Sequence, residues 1–489
     1  MSVKLSNATL SSLPETVNRP AYDRSQLRPG ILHFGVGNFH RAHQALYLDD
    51  LFNQGEALDW GIVGAGVLPS EAAMRDRLVA QDLLTTVVEQ DNNHTSARVI
   101  GPMVEYLPVG DGEAIIAKLA DPAIRIVSLT ITEGGYFIDS TGHFDPAHPA
   151  IAADGANPDK PSTVFGLIAA GLKRRRADGV APFSIMCCDN IPHNGKVTRD
   201  AVAGVAQLSD PDFANWIRSK VAFPNSMVDR ITPATIPAQI EALETEFGVV
   251  DQAPVYCEEF RQWVIEDTFP TGRPAFEKAG VTFVEDVAPY ENMKIRILNG
   301  SHAAIAYPAI LLDIHFVHDA MAHPLIEAFL EKLNKEEIIP FVPPVPGVVL
   351  EDYRKLIVRR FANPKVGDTV ARLALDGSNR QPKFIVPLIR DGLAAGHDIS
   401  GLALVSALWC RALAGQSETG RDMPLVDPNM DKIRPAAQAA SDDPKAFIGL
   451  SDVYGDLVHH EAFVALFAQK LRFIREHGVE AALKDYLKA

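Results

Sequence analysis

The spacing of apolar residues divides the chain into two parts. Up to about residue 288, short apolar runs typical of buried strands alternate with helical segments. From about residue 290 onwards, apolar residues recur at helical spacing and prolines separate successive helices. The pattern predicts an α/β fold class, with a Rossmann-like doubly wound N-terminal domain over residues 1–288 and a mainly α-helical C-terminal domain over residues 289–489.

The first strongly apolar strand leads into a glycine turn. The run Gly-Ile-Leu-His-Phe ends at Gly35-x-Gly37, and Asn38 and Phe39 open the helix that follows. Dinucleotide pyrophosphates bind at such turns, because glycines let the backbone approach the phosphates and the helix start offers free N–H groups. His40 replaces the third glycine of the usual fingerprint, so a plain tight turn is the alternative interpretation.

Polar residues follow three other predicted strands. Glu71 comes after the second one, where a carboxylate accepts from both ribose hydroxyls and repels a 2′-phosphate. The alternative is an acid stabilised in the first turn of a helix. Glu133 and Asn190 follow two more apolar runs, at the sheet edge where open α/β sheets bind ligands. An asparagine at a strand end is otherwise a common turn former.

One helix places four reactive side chains together. At about 100° per residue, Glu291 and His302 lie about 60° and 80° from Lys294, and Asn299 about 140° from it. Apolar residues flank this sector, so we interpret it as facing a pocket; a solvated polar helix face is the alternative.

Composition narrows the function. The 489 residues carry a net charge of −16, which disfavours binding to nucleic acid or to an anionic membrane. No run of about 18 apolar residues predicts a membrane span, and the first residues do not resemble a signal peptide. Four cysteines without Cys-x-x-Cys spacing indicate a reducing, cytoplasmic setting. The adjacent His459 and His460 point apart on a helix, so no metal site is expected.

Three motifs resemble those of the polyol-specific long-chain dehydrogenase/reductase family, and its mannitol-oxidising members are the most similar. The likeness extends from about residue 20 to the C-terminus. The motifs are Gly35-x-Gly-x-Phe-His-Arg-Ala-His-Gln44, Thr130-x-Thr-Glu-Gly-Gly-Tyr136 with Cys188-Asp-Asn-x-x-x-Asn-Gly195, and Lys294-x4-Asn299-x2-His302.

The resemblance implies a metal-independent, NAD-dependent oxidation of a sugar alcohol (mannitol, arabinitol or glucitol) to the 2-ketose, and the reverse reduction. It implies that Lys294 is the general base, that Asn190 and Asn299 stabilise the alkoxide, that His302 orients substrate hydroxyls, and that Glu291 gates proton passage. A lysine titrates near 10.4 in water, and desolvation beside a nicotinamide cation would lower its pKa enough for it to act as a base.

Further roles follow from the same resemblance. Asp229, Arg372 and Arg380 match positions that bind the remaining hydroxyls, although the family pattern has lysine where Arg380 stands. Glu71 replaces an aspartate that favours NAD over NADP. The cofactor positions are Gly35, Gly37, Asn38, Phe39, Glu71 and Glu133. The resemblance also favours a monomer.

Several alternatives remain open at this stage. A hexuronate reductase of the same superfamily would use Arg372 and Arg380 to bind a carboxylate, and a non-catalytic NAD-binding protein would have no need of a base. A lysine that forms a Schiff base, as in an aldolase, is disfavoured by the Gly-x-Gly turn. His302 as a satisfied core histidine, and Arg372 as a surface ion-pair partner of Asp368, are further alternatives.

Overall fold

The computed structural model describes residues 2–139, 142–423 and 425–488. The chain divides into two compact units, Met1–Ala288 and Pro289–Ala489. All strands described lie in the first unit, and the second is built from helices. The predicted fold class is therefore confirmed.

The strands of the N-terminal unit form four sheets. In chain order they are β1 Val3–Lys4, β2 Val17–Asn18, β3 Pro29–Phe34, β4 Gly61–Ala65, β5 Thr85–Gln90, β6 Thr95–Ile100, β7 Met103–Tyr106, β8 Ile126–Leu129, β9 Ser184–Cys187, β10 Ser226–Asp229, β11 Val249–Val250, β12 Val255–Glu258, β13 Gln262–Glu266 and β14 Thr282–Val284.

The largest sheet has five parallel strands in the order β7-β4-β3-β8-β9. The strand order reverses between β3 and β8, which is the switch point where doubly wound sheets bind ligands beyond the carboxyl ends of their strands. Successive residues of β3 belong to different cores: Ile31 packs on one face and Leu32 on the other. Both faces are covered, which explains why the strand sequence is almost wholly apolar.

Nine α-helices are described in this unit: α1 Asn38–Ala42, α2 Gln44–Asn53, α3 Ala72–Val79, α4 Gly112–Ala120, α5 Pro149–Ala156, α6 Val164–Asp178, α7 Asn194–Gln207, α8 Pro211–Lys220 and α9 Pro237–Phe247. Side chains of α2 pack on the face that contains Ile31, whereas α4, α6 and α7 cover the face that contains Leu32.

Three smaller sheets complete the unit, with strand orders β12-β5-β6-β2, β10-β13-β14 and β1-β11. Residues 1–29 look irregular in sequence, yet they contribute β1, which pairs with β11, and β2, which pairs with β6. Two-residue strands carry too few alternating positions to be recognised from periodicity, so only the partner strand reveals them.

The C-terminal unit contains α10 Ala288–Met293, α11 Gly300–Leu311, α12 Val317–Ala322, α13 Pro324–Leu333, α14 Leu350–Phe361, α15 Val370–Ala374, α16 Gly377–Phe384, α17 Val386–Ala395, α18 Ser400–Leu413, α19 Met430–Ala439, α20 Lys445–Ile448, α21 Ser451–Tyr454, α22 Glu461–His477 and α23 Val479–Lys488. Helices α11 and α18 are buried along nearly their whole length and pack on each other. They are apolar all round, as central helices must be.

Two stretches of this unit are π-helical: Lys294–Asn299, between α10 and α11, and Asn334–Ile338, after α13. The side chain of Asn334 donates to Ser301 Oγ at 3.0 Å, and this bond ties the second stretch to the helix that follows the first. π-Helices are rare and often occur at functional sites.

Candidate active site

The glycine turn lies between β3 and α1. Gly35 has φ +88°, and a Cβ at this position would lie 2.1 Å from the Thr130 carbonyl oxygen. A Cβ on Gly37 would meet only the Gly35 oxygen, at 3.9 Å, so the space beside the start of α1 is left open by the protein itself. This open cradle fits a dinucleotide pyrophosphate, and the turn needs glycine at the first position for steric reasons alone.

The buried imidazole of His33 contacts the backbone of this turn. His33 Nδ1 lies 2.8 Å from Ser128 Oγ, and Nε2 lies 3.1 Å from the Gly35 oxygen and 3.0 Å from Thr130 Oγ1. Burial lowers the pKa of His33 to about 3, so the ring is neutral. His40 stacks on it with ring centroids 3.5 Å apart. His40 stands at the position of the missing third glycine and contributes this ring contact instead. The sequence alone did not reveal the role of His33.

The Asn38 side chain is occupied by protein groups. Its Nδ2 donates to the Pro233 oxygen at 3.2 Å and to Thr235 Oγ1 at 3.1 Å, and its Oδ1 accepts from Arg41 at 2.8 Å. The side chain of Asn38 is thus held by the protein, and its backbone N–H is the group suited to a cofactor contact. Phe39 stacks on the ring of His43 at 4.7 Å and is half-buried.

Glu71 follows β4 in a short 3₁₀ turn. Its Oε2 accepts from the backbone N–H groups of Val67 and Leu68, both at 2.8 Å. The carboxylate thus caps the local backbone, as the alternative interpretation of this acid requires. Both bonds use one oxygen, so Oε1 is the atom that a ribose hydroxyl would contact.

Glu133 and Asn190 are exposed at the ends of β8 and β9, which are neighbours in the sheet. Asp189, next to Asn190 in the chain, connects the ends of these two strands: its carboxylate accepts from Ile131, Thr132 and Tyr136. Asp189 lies inside the motif Cys188-Asp-Asn-x-x-x-Asn-Gly195, but the sequence analysis assigned it no role. Asp229, the last residue of β10, is buried with 5% of its surface exposed.

In the C-terminal unit, the π-helical stretch begins at Lys294 and ends at Asn299. A π-helix turns by about 80° per residue, so Asn299 lies about 40° from Lys294 rather than the 140° of an α-helix. The same geometry brings His302 to within about 20° of Lys294. The four polar residues thus share a narrower sector of the helix than α-helical spacing predicts. The smaller rotation per residue in the π-helical stretch brings Asn299 and His302 closer in angle to Lys294.

These side chains lie in a dry environment. Glu291 and Lys294 each expose only 8% of their surface. The ring of His302 stacks on Phe361 with centroids 4.3 Å apart, and its buried Nε2 has no hydrogen-bond partner among the described residues. A satisfied core histidine would have that nitrogen paired, so the orphaned atom suits a ligand hydroxyl.

Positive charge surrounds His302. Burial holds the pKa of its imidazole well below the usual value, and Arg372, Arg360, Arg380 and Lys294 lower it further. The ring is therefore neutral, with one nitrogen free to accept a hydrogen bond. Arg360 is buried, and no pattern in the sequence had singled it out.

Two of the arginines are held by protein groups. The guanidinium of Arg372 makes a two-pronged ion pair with Asp368, as the alternative interpretation of that residue anticipated. Arg380 donates to the backbone oxygens of Arg372 at 3.2 Å and Leu373 at 2.9 Å. These contacts fix the positions of both side chains next to His302.

No group of three or more histidine, cysteine, aspartate or glutamate residues in the described ranges could hold a metal ion. No helix in those ranges is long and apolar enough to cross a membrane.

Comparison with known proteins identifies relatives along the whole chain. Residues 29–278 match the mannitol dehydrogenase Rossmann domain, and residues 286–475 match the mannitol dehydrogenase C-terminal domain. A mannitol 2-dehydrogenase of Cereibacter sphaeroides is 56% identical over 478 residues, which cover 98% of this chain and 100% of that protein. A mannitol 2-dehydrogenase of Aspergillus fumigatus is 40% identical, with 99% of each chain covered.

Two solved structures are similar over almost the full length. The ternary complex of Pseudomonas fluorescens mannitol 2-dehydrogenase with NAD and D-mannitol has 44% identity and a TM-score of 0.89, and the match covers 99% of this chain and 100% of that one. A D-sorbitol dehydrogenase in substrate-free form has 38% identity and a TM-score of 0.92, with 98% and 100% covered.

Proposed function

The chain belongs to the mannitol dehydrogenase family, and on that premise we propose that it is an NAD-dependent polyol dehydrogenase that oxidises mannitol to its 2-ketose and catalyses the reverse reduction. The observation that carries the proposal is the buried Lys294 at the start of a π-helix that brings Asn299 and His302 to the same side. Arabinitol and glucitol are the further substrates we propose.

Lys294 is proposed as the general base. Its side chain is buried, and desolvation disfavours the ammonium form of a lysine relative to the neutral amine that a base must be. Lys294 Nζ takes the proton from the substrate hydroxyl. NAD, when bound, would supply the acceptor for the hydride that leaves the carbon carrying that hydroxyl. Polyol and NAD⁺ thereby give ketose, NADH and one proton.

The other polar residues are proposed to assist this proton transfer. Asn299, through its amide N–H, and Asn190, by family resemblance, stabilise the charge that develops on the substrate oxygen. The neutral His302 accepts a hydrogen bond from a substrate hydroxyl through its orphaned Nε2. Glu291, one turn before Lys294, passes the proton from the amine towards solvent. Asp229, Arg372 and Arg380 are proposed to bind the remaining hydroxyls.

In the cofactor site, we propose that the turn at Gly35 and Gly37 approaches the pyrophosphate, with the backbone N–H groups of Asn38 and Phe39 as donors. Glu71 would accept from the ribose hydroxyls, and Glu133 would border the nicotinamide side. We further propose a monomeric cytoplasmic protein whose only partners in the reaction are these small molecules.

The test is NADH formation on mixing the protein with NAD and mannitol, followed by absorbance. Lys294→Ala should abolish nearly all of it, whereas Lys335→Ala, at an exposed lysine of the same unit, should leave it unchanged. Activity that survives Lys294→Ala would remove the base from its role.

The arginines around His302 favour a second candidate, a hexuronate reductase that binds a substrate carboxylate there. A panel of mannitol, arabinitol, glucitol, fructuronate and tagaturonate separates the two, since a reductase of this kind would reduce the last two far faster than it oxidises any polyol. NAD binding without turnover of any of them would indicate a non-catalytic NAD-binding protein.

A further inference from the structure

We propose that Asp189 is a positioning residue. It holds the turn after β8, residues 130–136, in a strained conformation beside Asn190. The inference rests on the proposed function, because the turn carries Glu133 and the next residue along the chain is the proposed catalytic amide. Asp189 is assigned no contact with substrate or cofactor; it acts through its neighbours.

One carboxylate gathers three donors from the turn. Asp189 Oδ2 accepts from the Ile131 N–H at 2.9 Å and from the Tyr136 hydroxyl at 2.7 Å, and Oδ1 accepts from the Thr132 N–H at 3.0 Å. The three donors span both ends of the turn. A carboxylate can accept all of them at once, since it offers acceptor sites on both oxygens.

The turn is strained at Thr132. Its backbone has φ +65° and ψ +161°, a region that only glycine normally occupies. Thr132 is also β-branched, which makes such a conformation still less favourable. Left to itself, a threonine here would prefer a relaxed conformation by about 10- to 100-fold. The hydrogen bond from the Thr132 N–H to Asp189 stabilises the strained backbone conformation at that same residue.

Asp189 is in turn fixed by the sheet. Strands β8 and β9 pair up to Leu129 and Cys187, and the Cys188 N–H still bonds to the Leu129 oxygen at 2.9 Å. Asp189 comes directly after this last bond. The buried Asn194 donates to the Asp189 oxygen at 3.1 Å, so both the backbone and the side chain of Asp189 are held.

The position of this turn in the sheet explains why its conformation would matter for function. The turn follows β8, which borders the switch point of the sheet, and the Thr130 oxygen at its base forms the steric wall against Gly35. A relaxed turn would move Glu133 relative to the glycine turn and would release the backbone that leads to Asn190. Strain held at a cofactor site in this way pre-organises the site before the ligand binds.

The decisive experiment combines loss of the carboxylate with relief of the strain. Asp189→Asn presents an NH₂ group to at least one of the three donors, and we expect kcat to fall and the KM for NAD to rise, each by about 10-fold or more. Thr132→Gly alone should keep activity within about threefold of wild type. Combined with Asp189→Asn it should restore most of the lost activity, since glycine adopts this conformation without steric strain.

A purely structural role for Asp189 predicts a different outcome. Both variants that carry Asp189→Asn would then have the same lowered unfolding temperature, and Thr132→Gly would rescue neither kcat nor KM. Failure of the rescue, or an Asp189→Asn enzyme as active as wild type, would overturn the inference. Asp145→Asn is the matched control, because Asp145 also accepts a backbone N–H in an exposed turn of this unit.

Two measurements keep the test independent of other failures. Where Asp189→Asn does not fold, Tyr136→Phe removes only one of the three bonds, and we expect it to raise the KM for NAD by about two- to fivefold; an unchanged KM would contradict the inference. Where wild type forms no NADH with any polyol, the proposed function has failed, and NAD affinity measured by calorimetry still reports whether Asp189→Asn and its rescue behave as expected.

Discussion

Glu337 offers a sharp test of how burial controls the stability of the C-terminal unit. Its carboxylate lies at the start of α18, where it accepts from the N–H groups of Gly401 at 2.8 Å and Leu402 at 2.9 Å, and from the Tyr486 hydroxyl at 2.8 Å. Only 2% of the residue is exposed. Desolvation outweighs the three bonds, and the pKa of Glu337 rises from 4.5 to about 7.

The sign follows from linkage. Because the folded protein binds this proton more tightly than the unfolded chain, the stabilisation is fully present below pH 4.5 and is lost as the pH rises through 7. A rise in pKa of this size corresponds to about 3 kcal/mol. Glutamine at position 337 cannot titrate, so Glu337→Gln lacks this pH dependence. Between pH 4.5 and pH 8 the free energy of unfolding of wild type should therefore fall by about 3 kcal/mol relative to that of the variant.

Urea unfolding followed by circular dichroism at several pH values measures this difference. Comparing the two proteins at each pH cancels the contribution of all other titrating groups. Glu336→Gln is the matched control, since Glu336 is the adjacent glutamate and is exposed; its curve should run parallel to that of wild type. A wild-type and Glu337→Gln pair whose difference stays constant with pH would refute the reasoning.

Two further perturbations address catalysis and cofactor choice. Arg296 donates to the Phe341 oxygen and pairs with Asp391, both at 2.7 Å, so Arg296→Met should loosen the π-helical stretch and lower kcat by about 10-fold or more with unchanged NAD affinity. Asp391→Asn should have a smaller effect, and an unaltered kcat in Arg296→Met would contradict this role. Glu71→Gln keeps one oxygen for the local N–H groups but replaces the other by an NH₂ group. The KM for NAD should therefore rise by about tenfold, and discrimination against NADP should shrink; comparing kcat/KM for the two cofactors checks this.

The amino-acid sequence was sufficient for the parts of the molecule that depend on local pattern. Apolar runs and helical periods predicted the doubly wound sheet and the helical C-terminal part, since burial of a strand or a helix face imposes a period on the residues that form it. The turn at Gly35 was recognised for the same reason: a backbone conformation that only glycine tolerates leaves a direct trace in the sequence. The spacing of Lys294, Asn299 and His302 was equally visible, although its geometry was not.

Tertiary structure decided what depends on residues far apart in the chain. Asp189 meets the Ile131 N–H across 58 residues, and His33 meets Ser128 across 95, so no local pattern could reveal either contact. The π-helical stretch is another example, because its side-chain composition does not differ from that of an ordinary helix and its register depends on packing around it. A titratable or strained group acquires its properties from the groups that the fold brings next to it, and those neighbours come from other parts of the chain.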